Sequence, residues 1–178
     1  MRDPASVNNK LMKQKYILPT RIILGLLIIL NMALIFAFSA QNATQSSQIS
    51  HQITSGLTDV IAPDVKDRTE AEQIAFMGPI HRALRKIAHM VEFGSLGCLI
   101  FLFLLTWKKS PLLYYVSSLA ATFAYACTDE LHQLLSESRG AQFSDVLLDT
   151  CGAWITCSVV LLLVWIRRTK QQKGATAD

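Results

Sequence analysis

Hydrophobic positions in this chain fall into four long runs, 22–40, 87–106, 112–127 and 146–166, with polar sequence between them. A helix needs roughly 20 apolar residues to cross the hydrocarbon layer of a membrane. Each run is close to that length, so the pattern predicts four membrane-spanning helices, the third of them extending past Cys127. Between the first two runs, Ile49, Ile53, Leu57, Val60 and Ile61 recur at helical spacing up to Pro63, which predicts a short amphipathic helix in the connecting loop. Thr69 followed by Glu72 predicts a capping box opening a second short helix through Met77, with Gly78-Pro79 ending it and starting the next. From Ile80 the helical pattern runs unbroken to Thr106. The expectation is an all-α polytopic membrane protein, a bundle of four transmembrane helices with a partly helical outer loop over 41–86.

Charge orients this arrangement. The formal net charge is +4 and 51% of residues are hydrophobic, with a mean hydropathy of +0.32. The cations follow topology and not a nucleic-acid footprint. Arg2, Lys10, Lys13, Lys15 and Arg21 precede the first run, Lys108 and Lys109 fill the turn between the second and third, and Arg167, Arg168, Lys170 and Lys173 follow the last. Basic residues concentrate on the cytoplasmic side of membrane proteins. Residues 1–20 and 167–178 are therefore expected to be basic cytoplasmic tails flanking a membrane domain over 21–166. Arg82, Arg85 and Lys86 lie on the other side and run against this rule locally. Ala37-Phe38-Ser39 has the small-residue look of a signal cleavage site, but the long charged segment before it and the length of the run favour a retained anchor. Cys98, Cys127, Cys151 and Cys157 sit in or beside apolar runs without metal-binding spacing, and are expected to be small packing residues, with a Cys127–Cys151 disulfide as an alternative.

Polar residues inside the runs are the informative exception. At about 100° per residue Arg82, Arg85, Lys86, His89 and Glu92 share an arc of roughly 120°, a stripe descending from water into the bilayer. The third run leads into Asp129, Glu130, His132 and Gln133, of which Asp129, His132 and Gln133 share a face while Glu130 points elsewhere. Arg139 follows in a turn, and the fourth run opens with Asp145 and Asp149 in line with Gly152 and Thr156. An ionised carboxylate at the centre of a membrane helix costs roughly 2.5–3.5 kcal/mol on insertion scales, so such groups face the bundle interior and find partners. Topology puts all of these at one level, and Gly94, Gly97 and Gly152 allow close helix approach. The expectation is one outward-opening pocket between spans two, three and four. Arg85, Lys86, His89, Glu92, Asp129, Glu130, His132, Gln133, Arg139, Asp145 and Asp149 would form it. Four roles are open to it. It could be a polar clamp fixing helix register, or a site for a charged envelope molecule held by Arg85, Lys86 and Arg139. Catalysis through His89, Glu92, Asp129 and His132 is a third, and ion conduction a fourth. No metal or cofactor is expected.

Two blocks carry a resemblance. The first is Arg85-Lys86-x-Ala88-His89-x-x-Glu92-Phe93 with Leu96-Gly97 behind it. The second is Asp129-Glu130-x-His132-Gln133, then Arg139, then Ser144-Asp145-Val146-x-x-Asp149-x-x-Gly152-Ala153. A weaker echo is Phe38-Ser39-x-Gln41 with Ser46 and Ser50. Together they resemble the VanZ-like family of small bacterial membrane proteins. Here Glu137-Ser138 stand where the family usually has Pro-Gly before the arginine, which implies an altered turn. Thr156 stands where a second glycine is common, which implies a slightly wider helix contact. The resemblance implies a multi-pass protein of the bacterial plasma membrane with an envelope role. Some members confer low-level resistance to the glycopeptide teicoplanin, and no reaction is established for the family. The partners expected are the lipid bilayer and a lipid-linked cell-wall precursor or anionic lipid headgroup, and no nucleic acid. The function expected is binding or shielding such a ligand; the alternative is an enzyme acting on a lipid-linked substrate.

Overall fold

The structure is a computed structural model that describes residues 4–39, 56, 64, 69–107, 109–135 and 142–175. Four long helices follow one another: α1 (Pro4–Ser39), α2 (Glu70–Leu105), α3 (Pro111–Leu135) and α4 (Phe143–Ala175). They run alternately up and down. α2 occupies the centre and packs on the other three, with α4 as its principal neighbour. Apolar side chains cover much of the outer surface, among them Ile29, Leu30, Leu112, Val116, Val159 and Leu162. A water-soluble bundle would bury such residues; a bundle solvated by lipid tails has no reason to.

Three stretches are long and apolar enough to cross a membrane: Tyr16–Ser39, Ala71–Leu105 and Phe143–Gln172. α3 falls short alone because Tyr114, Tyr115, Ser117, Ser118, Thr122 and Tyr125 dilute its apolar character. Most of these groups have hydrogen-bond partners. The Tyr125 hydroxyl donates to the Met32 carbonyl at 2.7 Å, Tyr115 and Ser158 share a hydrogen bond of 3.0 Å, and Ser118 and Thr122 donate to carbonyls one turn back on their own helix. The polarity that makes α3 a poor lone span thus serves to join it to α1 and α4.

The helices overrun the boundaries expected from the apolar runs. α1 begins at Pro4, inside the segment read as a tail, and α4 continues past 166 to Ala175. The capping box is present, with the Glu72 carboxylate accepting from the Thr69 N–H at 3.0 Å. The break expected at Gly78-Pro79 is not: α2 continues through both residues. Pro79 removes only its own bond to the Ala75 carbonyl, and Ala75 is exposed, so solvent can replace the lost donor. The amphipathic segment expected at 49–61 lies outside the described residues, apart from Gly56. All four cysteines are free, and Cys151 points outward, which removes the disulfide alternative and corrects the expectation of burial for Cys151.

Close packing concentrates where α2 and α4 run parallel. A Cβ on Gly152 would overlap the Met90 carbonyl, and one on Gly97 would meet the Ala153 Cβ at 2.7 Å. The Thr156 hydroxyl donates to the Gly94 carbonyl at 2.8 Å. Threonine therefore bridges this contact and does not widen it. Phe93, Leu96, Ile35, Ala126 and Val146 form one buried cluster beside it, and Phe101, Tyr114 and Cys157 a second. At the opposite end Arg21 donates to the Thr106 hydroxyl and carbonyl at 3.0 and 3.1 Å and lies 4.0 Å over the Trp107 ring. It thereby satisfies a carbonyl at the C-terminus of α2.

Replacing Gly152 with alanine should cost about 1–3 kcal/mol through overpacking, read as a lower unfolding temperature in detergent. Gly25 has nothing within 4 Å of an added Cβ. Gly25→Ala should leave stability unchanged or raise it by about 0.5–1 kcal/mol, as expected for glycine to alanine within a helix.

Candidate functional site

The polar stripe of α2 faces the end of α3 and the start of α4. Three features of the backbone place it there: the parallel course of α2 and α4, the antiparallel return of α3, and the glycine contact that sets the level of one helix against another. Between them lies a cavity of about 480 Å³, lined by Arg82, Ala83, Arg85, Lys86, His89, Glu130, Gln133, Gln142, Asp145, Leu148 and Asp149. Arg82 and Gln142 are exposed at its mouth, whereas Asp149, two turns into α4, retains 7% of its exposure.

Seven of the eleven residues singled out in the sequence line this cavity: Arg85, Lys86, His89, Glu130, Gln133, Asp145 and Asp149. The Lys86 Nζ meets the Asp145 Oδ1 at 2.8 Å, an ion pair that ties α2 to α4 across the middle of the cavity. The His89 Nδ1 lies 3.7 Å from the Glu92 Oε2 on the same helix. Glu130, expected to point away, instead accepts from the Gln142 N–H at 2.5 Å at the start of α4. One residue of helical rotation separates it from Asp129, and α4 sits on the flank to which that rotation points.

Asp129 and His132 turn toward α1. The Asp129 Oδ2 accepts from the Ser39 hydroxyl at 3.0 Å and from the Gln133 Nε2 at 2.9 Å, and Gln133 also donates to the Ser39 Oγ at 2.9 Å. Asp129 is 4% exposed. His132 stacks on Phe36 with ring centroids 4.5 Å apart. These contacts hold the end of α1 against α3. The polar cluster thus has two parts, a closed clamp of Ser39, Asp129 and Gln133 and an open cavity beside it, with Gln133 belonging to both. Arg139 lies outside the described residues. Ser39 had only the weak Phe38-Ser39 echo to mark it, and Arg82 stood in the stripe without being assigned to the pocket. Gln142 carried no signal of its own.

The cavity is electrically divided. Arg82, Arg85 and Lys86 supply one wall from α2, and Glu130, Asp145 and Asp149 the facing wall from α3 and α4. Asp149 also feels the charges of Asp129 and Glu92. Among the described residues neither Arg82 nor Arg85 has a carboxylate within ion-pair distance, and the Asp149 Oδ1 has no hydrogen-bond partner. A buried carboxylate oxygen without a donor is costly. No three His, Cys, Asp or Glu side chains among the described residues come together as metal ligands would.

A family model described as VanZ/LLP1 matches residues 24–165, a range that takes in the clamp and every residue lining the cavity. No curated protein and no solved structure matches the chain.

The two parts of the cluster should respond differently to substitution. Ser39→Ala and Asp129→Asn each lower thermal stability, and a double-mutant cycle returns a coupling of about 1 kcal/mol. Asp149→Asn, which removes a charge lacking a protein hydrogen-bond donor at one oxygen, leaves the unfolding temperature unchanged or raises it.

Proposed function

The chain belongs to the VanZ/LLP1 family, and on that premise we propose that it binds a phosphate-bearing envelope ligand in the cavity at the outer face of a bacterial plasma membrane. The ligand is the headgroup of a membrane lipid or of a lipid-linked wall precursor. Its capture shields that group and so limits the action of glycopeptide antibiotics of the teicoplanin type. One observation carries the reading: among the described residues Arg82 and Arg85 have no carboxylate within ion-pair distance, and they line a cavity large enough for a headgroup. A guanidinium is well suited to phosphate oxygens through its parallel N–H donors.

Orientation follows from charge. Arg21, Lys109, Arg167, Arg168 and Lys170 belong to the end opposite the cavity, and that end is cytoplasmic under the positive-inside rule. The cations at the cavity end are offset by the acids facing them. Both termini are then inside. The competing reading, an enzyme on a lipid-linked substrate, would draw on His89, Glu92, Asp129 and His132. Of these only His89 lines the cavity, and Asp129 and His132 are committed to contacts with α1. Binding is therefore the reading the geometry favours.

Two measurements test it. In a cysteine-free background, Gln142→Cys should be labelled by an impermeant thiol reagent added outside intact cells, and Lys109→Cys only after permeabilisation; the reverse pattern removes the outward-facing site. In nanodiscs, the protein should bind lipid II or anionic phospholipid, and Arg82→Ala with Arg85→Ala should weaken that binding at least tenfold. Unchanged affinity in the double variant would remove the cavity as the binding site.

A further inference from the structure

The cavity has a second requirement that a bare phosphate does not meet. Guanidiniums stand at its mouth, while the group deepest in it, Asp149, is a carboxylate more than nine-tenths buried whose Oδ1 has no hydrogen-bond partner among the described residues. Glu130 and Asp145 share its wall. An anion filling the whole cavity would press against these acids. A ligand matched to it carries a negative group at the level of Arg82 and Arg85 and hydrogen-bond donors at the level of Asp149. Asp145, which pairs with Lys86 next to Arg85, is one helical turn from Asp149, so a group held by Arg85 and a group held by Asp149 are separated by one turn, ~5.4 Å.

A primary ammonium fits the deep position. It brings positive charge and three donors to the Asp149 carboxylate, for which no donor is found among the described residues. A quaternary ammonium has no N–H to give, and among the described residues the lining contains no Trp, Tyr or Phe of the kind that receives such groups elsewhere. A hydroxyl-only headgroup would supply donors without the charge. We infer that the cavity is a site for a phosphate ester bearing a primary amine, the chemistry of phosphoethanolamine, with its phosphate on Arg82 and Arg85 and its ammonium on Asp149. This rests on the headgroup-binding reading above and specifies which headgroup.

The test uses the full-length protein in detergent micelles, titrated calorimetrically with dihexanoyl phosphatidylethanolamine, phosphatidylglycerol and phosphatidylcholine. The ethanolamine lipid should bind at least tenfold more tightly than either of the others. Asp149→Asn should reduce it to the affinity of the glycerol lipid while leaving the latter unchanged or tighter, and Arg85→Ala should weaken both. Free phosphoethanolamine that displaces the lipid would show that the headgroup alone suffices; failure to displace it would mark the lipid as the source. Both results keep the amine-plus-phosphate chemistry. Equal binding of ethanolamine and glycerol lipids, both lost in Arg85→Ala, would overturn the amine while leaving headgroup binding intact. Equal binding of the choline lipid would overturn it as well; no binding of any of the three, with lipid II still bound, would overturn the amine and leave the headgroup reading to the wall precursor, and loss of lipid II binding too would end both readings. The wild-type comparison decides the matter even if a variant fails to fold.

Discussion

The contact between the Met90 carbonyl and the Cα of Gly152 sets most of what this molecule does. It brings two parallel helices to backbone distance at a point where no side chain fits. Once α2 and α4 touch there, the turns above them have no freedom of register. Lys86 falls opposite Asp145, and the Thr156 hydroxyl reaches the Gly94 carbonyl. The cavity lies above the contact, lined by α2, α4 and the end of α3. A bulkier residue at 152 would push α2 and α4 apart and shift Lys86 against Asp145, although neither touches Gly152 directly.

Inside a membrane, apolar burial gives helices little reason to associate, because lipid tails are as apolar as leucine. The polar contacts therefore carry much of the specificity. α1 shows this most clearly. It is the least buried of the three long apolar helices, yet it is fixed along its length by Arg21 at one end, Asn31 on Ser95 and Met32 on Tyr125 in the middle, and Ser39 at the other end. These are single hydrogen-bonding groups placed at intervals on an otherwise lipid-facing rod.

Much of the architecture was legible from local pattern. Helix number and order follow from run length and composition, which depend on each residue and its near neighbours. Helix ends were less legible, because Pro79 reads as a stop when the chain tolerates it, and because polar residues such as those of 167–172 can prolong a helix into water. The stripe from Arg82 to Glu92 was visible because helical periodicity alone defines it. The division of the acids between clamp and cavity was not. It depends on where α1 lies against α3, and a lone serine at position 39 carries that information. The partner of Glu130 was hidden for a related reason: its face of α3 acquires one only when α4 takes its place on that flank.

The Lys86–Asp145 pair joins residues 59 positions apart, and this separation has a bearing on biogenesis. As the chain emerges from the ribosome, α2 enters the membrane with its stripe of charges well before the helix that complements it has been made. A hairpin of α2 and α3 must wait for α4 before the buried carboxylates have their final surroundings. In that order of synthesis the last helix completes the surroundings of the second.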